Sequence, residues 1–283
     1  MDSGKRKDLQ LIAQDIRILG LNMVREARSG HIGGAFSLSE IMALLYFEKM
    51  NIDPSRPHWD DRDRLVMSKG HGTVALYPTL AMRGFFPIER LKDFRKIGKH
   101  LSGHVEMHYV PGVDMSTGSL GQGFSVAVGM AYGARIAGKS FRTYAILGDG
   151  EIQEGQIWEA AMFAASAKLD NLVAILDYNK VQLDGTVVEV QNSGSPEDKF
   201  AGFGFHVLSV DGHSIQELSD ALEEACKTKG KPTIIIANTI KGKGVSFMEG
   251  KSAWHGKTPT EEQFDLAFME LKEQRNKMEA IYG

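Results

Sequence analysis

Cysteine is all but missing. Cys226 stands alone among 283 residues, so no disulfide forms within the chain. It falls in the amphipathic stretch 215–227, where a quiet core thiol is the expected role. No run of 18 apolar residues occurs, which leaves no candidate for a membrane-spanning helix. Excess positive charge is lacking too. The formal net charge of −3 offers no basic field for nucleic acid. The first eight residues are charged and no apolar segment follows, so no signal peptide is expected and the cytoplasm is the expected compartment. No repeat or long linker divides the chain, and residues 1–283 are expected to form one domain. What is present is ordinary for a globular protein, 42% hydrophobic and 24% charged, at a length that buries a core.

The most informative stretch is Gly148-Asp149-Gly150-Glu151, with Asn179 30 positions beyond the aspartate. An apolar β-type segment, 143–147, precedes the aspartate, and another, 172–177, stops just before the asparagine. Between them, 154–169 is alanine-rich and helical in period. A strand, a helix and a strand in that order put one oxygen ligand beyond each strand's carboxyl end, where an open parallel sheet forms its ligand crevice. A carboxylate and an amide oxygen, with no cysteine or histidine between them, suit a hard cation such as Mg²⁺. The flanking glycines permit close backbone approach to an anion, so a metal clamped to a diphosphate is the expected ligand. The pattern resembles that of thiamine diphosphate sites.

Earlier in the chain, 8–27 reads as a helix with Leu11, Ile12, Ile16, Leu19 and Met23 on its buried face. Ser37 and Glu40 have capping-box spacing before a second helix. Histidines recur beside glycine in polar turns: His31 after Gly30, His71 between Gly70 and Gly72, His104 after Gly103. His100, His104 and His108 have the spacing of zinc ligands on a helix, but the glycines and proline of 98–112 predict a loop. Residues 118–123 open a helix running to about 137, along which Gly121, Ser125, Gly129, Gly133 and Ala137 form a ridge of small residues. Residues 133–140 match the Walker A string, but a helix precedes them and a strand follows, the reverse of the order that motif needs. The segments 206–210, 214–227 and 233–237 add a strand, a helix and a buried strand. Thr239, Lys241 and Gly244 follow at the same edge. Such alternation predicts a three-layer αβα domain around a mainly parallel sheet.

Taken together, these loops resemble the amino-terminal, diphosphate-binding half of transketolase. They resemble still more the separate amino-terminal subunit found where that enzyme is split into two chains. The likeness runs from Arg25 to Gly256 and is carried by Ser29-Gly30-His31, by residues 62–71, by Gly103-His104, by 111–123, by 148–155 and by Asn179. Ile32 and Val105 depart from it, standing where the family often has proline, which implies looser loops.

The resemblance implies roles. Asp149, Asn179 and the carbonyl of Val181 would hold Mg²⁺. Gly150, Lys69 and Lys241 would approach the diphosphate. His71 and His255 would line the cofactor, and the backbone of Gly118, Ser119 and Leu120 would contact its aminopyrimidine ring. His31, His104 and His255 would bind sugar hydroxyls and move protons. Glu154 would join a carboxylate network between paired sites. It further implies ketol transfer between sugar phosphates, as in the pentose phosphate pathway, and an α2β2 assembly with a carboxyl-terminal subunit that supplies the aminopyrimidine-binding half. Nothing after Gly256 has the length of a second domain, which fits that expectation. The alternatives are the alpha subunit of a 2-oxo-acid dehydrogenase, a non-catalytic diphosphate-binding module, and a zinc hydrolase built on the three histidines.

Overall fold

A computed structural model describes residues 1–281. Five strands, β1 (Arg64–Met67), β2 (Thr143–Gly148), β3 (Leu172–Tyr178), β4 (His206–Asp211) and β5 (Thr233–Asn238), form one sheet in the order β1-β2-β3-β5-β4. Every neighbouring pair is parallel. The helices are α1 (Ser3–Ala27), α2 (Gly33–Phe36), α3 (Ser39–Leu44), α4 (Thr73–Arg83), α5 (Gln122–Ile136), α6 (Gly155–Ser166), α7 (Val187–Gln191), α8 (Pro196–Gly202), α9 (Ile215–Lys227) and α10 (Glu261–Ile281).

The two-residue period of a strand sorts the core into two layers. Met67, Ile146, Val173, Ile175 and Ile235 point to one face, where α1, α3, α4, α9 and α10 cover them. Val66, Leu147, Ala174, Leu176 and Ile236 point to the other, beneath α5, α6 and α8. Strands buried on both faces need continuous apolar runs, and 143–147 and 172–176 supply them. The expected three-layer αβα architecture is present.

Two local expectations change, and one helix lies where the sequence predicted none. Along α1 only Ile16 and Met23 of the five chosen residues are buried. The covered strip is Leu9, Ala13, Ile16, Arg17, Gly20, Leu21 and Val24, because α3 and α4 pack on one side and α10 on another. Ser37 caps no helix: its hydroxyl donates to Asp177 Oδ2 at 2.7 Å, and α3 starts two residues later without a side-chain cap. Helix α4 has no helical period in its sequence, since Thr73 through Ala81 are all buried and Pro78 lies inside it.

Candidate active site

Parallel strands bring their carboxyl ends to one edge, and there the loops after β1, β2, β3 and β5 meet around a cleft of about 470 Å³. Asp149 follows β2 and is 3% exposed. Its Oδ1 accepts the Gly150 N–H at 2.8 Å and its Oδ2 the Lys180 N–H at 2.5 Å, so one carboxylate joins two strand ends. Asn179 follows β3. Its Nδ2 donates to Asp177 Oδ2 at 3.1 Å while its Oδ1 accepts the Val181 N–H at 3.2 Å, which fixes the orientation of the carboxamide. The Val181 carbonyl accepts Lys241 Nζ at 2.9 Å. Burial, and then the charge of Asp177, push the Asp149 carboxyl up to about 6, against the pull of Lys69, the Gly150 N–H and Lys241. A carboxylate so placed gains from a nearby cation.

Two further carboxylates lie beneath. Asp177, 0% exposed, accepts from Lys69 Nζ, from Ser37, from Thr239 and from Asn179. Burial alone would raise its carboxyl, but Lys69 and the hydroxyls hold it below the ordinary range. Lys69 also donates to the Gly34 carbonyl at 3.0 Å, which leaves one ammonium donor for a ligand. Glu151 accepts from Ser68 Oγ at 2.6 Å, the Gly121 N–H at 2.9 Å and the Gly148 N–H at 3.1 Å, tying the 118–121 turn to the end of β2. Burial raises its carboxyl, which these donors and Lys69 partly offset.

Four imidazoles face one another across the cleft. The His31 ring centroid lies 5.3 Å from His71, 5.8 Å from His104 and 5.5 Å from His255, and His71 lies 5.1 Å from His255. The His104 loop is held by Thr117 N–H to the Val105 carbonyl and by Val105 N–H to the Gly70 carbonyl, both 3.1 Å. A Cβ on Gly70 would sit 2.5 Å from the Thr117 carbonyl, so only glycine lets these loops touch. Val105 thus gives its loop a hydrogen bond that a proline there, with no N–H to give Gly70, would not make. Ile32, the other departure, is fully buried in the core. Burial, followed by neighbouring cations, lowers every ring's basicity. His31 falls to about 4 and His255 to about 3, with His71 well below and His104 below the usual value. The rings are neutral near pH 7. Burial likewise lowers Lys241 to about 8; its Nζ lies 2.9 Å from His255 Nδ1.

His31, Lys69, His71, His104, Gly118, Leu120, Asp149, Gly150, Glu154, Asn179, Val181, Lys241 and His255, all singled out in the sequence, line this one cleft. Ser119 does not. It opens onto the adjoining groove beside His104 and Gln122. Glu154 stands exposed at the rim. The zinc reading falls away: His100 stacks on Tyr109 at 4.5 Å and His108 is exposed. Among the described residues no three His, Cys, Asp or Glu side chains group as metal ligands. Gly138 ends α5 with φ +66° and Lys139 pairs with Asp61 at 2.7 Å, as a turn rather than a phosphate loop. Sequence reasoning missed Asp177 and gave Glu151 no role of its own. Asp177 left a signal, a carboxylate closing an otherwise apolar strand two residues before Asn179.

Residues 9–275 match the family described as the transketolase thiamine diphosphate-binding domain. The chain is 50% identical over 272 residues to the 6-deoxy-6-sulfo-D-fructose transketolase subunit SqwG of Clostridium sp. (strain MSTE9), covering 96% of this chain and 99% of that protein. It is 42% identical to an apulose-4-phosphate transketolase subunit of Phocaeicola vulgatus, covering 96% of each. Among solved structures, the transketolase of Campylobacter jejuni superposes with a TM-score of 0.89 at 36% identity, covering 98% of this chain but 43% of that one. The chain spans less than half the length of such transketolases.

Proposed function

The chain belongs to the transketolase family, within its thiamine diphosphate-binding domain, and from that premise we propose that it is the diphosphate-binding subunit of a two-chain, Mg²⁺-dependent transketolase. The reaction is transfer of a two-carbon ketol unit from a ketose to an aldose. One observation carries this reading: the strand-end oxygens of Asp149, Asn179 and Val181 open into the same cleft as the neutral imidazoles of His31, His104 and His255. The donor set fits the proposed metal, being carboxylate, carboxamide and carbonyl oxygen with neither thiolate nor imidazole. Asn179 fits in orientation as well, because Asp177 takes its Nδ2 and leaves Oδ1 with only the Val181 N–H. Asp149, Asn179 and the Val181 carbonyl would supply three oxygen ligands, leaving the other positions of a hard cation to diphosphate oxygens and water.

Lys69, Gly150 and Lys241 would approach the diphosphate, and Gly118 and Leu120 the aminopyrimidine ring. When bound, the cofactor supplies the electron sink for carbon–carbon cleavage. The chain's own part is to present neutral imidazoles to sugar oxygens in the cleft. Both named relatives act on sugars with an anionic terminus, one sulfonated and one phosphorylated. We place the donor of this chain in that class. The relatives are also named as subunits, which supports a separate partner bearing the aminopyrimidine-binding half and an α2β2 assembly.

Reconstitution tests the reading. The chain mixed with a candidate second-half subunit, thiamine diphosphate and Mg²⁺ is expected to transfer ketol units from a ketose phosphate or sulfonate, and either chain alone is expected to be silent. Turnover of a 2-oxo acid in place of a ketose would favour the dehydrogenase alternative, and robust ketol transfer by this chain alone would end the two-chain reading.

A further inference from the structure

Arg95 belongs to none of the loops that carry the family motifs and does not itself line the cleft, yet its side chain reaches His31, which does. It follows the short 3₁₀ turn Ile88–Asp93 with φ +54°, a left-handed conformation uncommon outside glycine. Its backbone N–H donates to the Leu101 carbonyl at 2.8 Å, closing the 95–101 loop on itself. The guanidinium lies against the turn that bears His31. Nη1 donates to Ser29 Oγ at 2.5 Å, and Nη2 stands 3.1 Å from His31 Nδ1. Nε is buried and has no partner, so both working arms of the fork serve this one turn.

The chemistry of the fork decides the state of the ring. An arginine side chain carries only donors and keeps its charge at any ordinary pH. Nδ1 of His31 must then offer its lone pair, and the single proton of a neutral imidazole lies on Nε2. Burial, and after it the charge of Arg95, disfavours a second proton on the ring. We propose that Arg95 is a positioning residue that locks His31 as its Nε2–H tautomer, so that His31 meets the sugar as a hydrogen-bond donor. The proposal rests on the reading that His31 faces substrate, and it narrows the role of that residue. A neutral ring with Nδ1 capped by a cation can steady charge growing on a sugar oxygen. It cannot readily surrender its Nε2 proton, because the imidazolate left behind would have no proton to take up at Nδ1. His31 thus holds an oxygen rather than ferrying a proton.

Gly103 belongs to the same device. A Cβ there would stand 2.4 Å from Arg95 Nε and 2.7 Å from Cζ and Nη2. The guanidinium is the far end of a flexible side chain, so a methyl group at 103 would push it off the turn and leave the backbone in place. Gly103→Ala therefore removes the contact with Arg95 itself intact.

The test reads the tautomer directly in the full-length chain, by long-range ¹H–¹⁵N correlation of the imidazoles, with His31 assigned by its loss in His31→Gln. The expected spectrum shows a pyridine-type Nδ1 and a pyrrole-type Nε2 in a single tautomer. Arg95→Met and Gly103→Ala are both expected to shift the ring toward averaged tautomers. Arg95→Lys, which keeps one donor, is expected to restore part of the wild-type pattern. A wild-type His31 protonated on Nδ1 overturns the proposal without any variant, and so does a spectrum that neither substitution changes. In the reconstituted enzyme, Arg95→Met should lower kcat by up to about 10²–10³-fold, the scale of losing one preorganised donor, with little change in KM. An unchanged kcat would also overturn it. The spectra need neither cofactor nor partner, so a fixed tautomer supports the proposal even where ketol transfer is absent, and the two readings fail separately.

Discussion

Asp177 touches no solvent, yet four side chains are arranged around it. Replacing it with alanine would leave the Lys69 ammonium buried without its counter-charge. Breaking one partner of a buried pair typically costs about 3–5 kcal/mol, so Asp177→Ala is expected to lose stability on that scale in urea denaturation. The variant should also lose affinity for Mg²⁺, because Asn179 would no longer have its Nδ2 held. Retained stability and affinity would reduce Asp177 to an ordinary core residue. For the histidines the expected effect is kinetic. His104→Ala should reduce turnover by about 10²–10⁴-fold if its ring moves a proton, with cofactor affinity little changed, and steady-state kinetics beside a binding titration would show it. The cleft residues with visible chemistry were legible because glycine-flanked histidines and strand-end oxygens carry their signal locally. Arg95 and the role of Glu151 were not, since what defines each is a partner 30 or more positions away. Of Asp177 only its place at the strand end was legible, its partners Ser37 and Lys69 being far off in sequence.

Helix α5 shows the same limit at the next scale. Its ridge of small residues could face a neighbour in the chain or the outside, and the sequence does not distinguish them. In the structure the ridge divides. Gly121 and Ser125 pack against Gln156, the latter accepting its Nε2 at 2.6 Å. Gly129 and Gly133 have nothing within 4 Å of an added Cβ and lie on the surface with Ile136 and, on α6, Met162 and Phe163. Gly129→Leu is therefore expected to leave the chain folded, and to favour helix by up to about 1 kcal/mol over glycine. Where this face meets the partner chain, the same leucine should weaken association by about 5- to 150-fold through overpacking. Circular dichroism melting and sedimentation of the mixed subunits read the two effects independently. A destabilised variant with unchanged association would contradict both. Helix α4, by contrast, was invisible to periodicity, because a helix buried on all sides shows no polar stripe to count.

Across the whole molecule, the edge that builds the cleft is braced from behind. Arg17 of α1 pairs with Glu40 of α3 at 2.6 Å. Glu40 Oε2 lies 3.0 Å from His213 Nδ1, and His213 Nε2 accepts the Ile240 N–H at 2.9 Å, beside Lys241. Burial opposes ionisation of Glu40, but Arg17 and His213 overcome it and hold its carboxyl at about 2, against an ordinary 4.5. A depressed carboxylate contributes fully above the higher value and is lost as pH falls through the lower one. Each tenfold change in proton affinity is worth about 1.4 kcal/mol, so the stability at stake is on the order of 3 kcal/mol. Glu40→Gln should accordingly show a flatter loss of stability between pH 4.5 and 2 than wild type in urea titrations, and parallel curves would refute the assignment. The αβα architecture itself was plain in the sequence, because parallel strands buried on both faces need long apolar runs. Strand order and this bracing were not, since they depend on where α1 and α9 come to rest. The central claim, that strand-end oxygens hold a metal for thiamine diphosphate in this cleft, is tested most directly by calorimetric titration of thiamine diphosphate into the chain with Mg²⁺ and with EDTA, for wild type and Asp149→Ala. The account predicts saturable, Mg²⁺-dependent binding to wild type and none to the folded variant; equal affinity in both would contradict it.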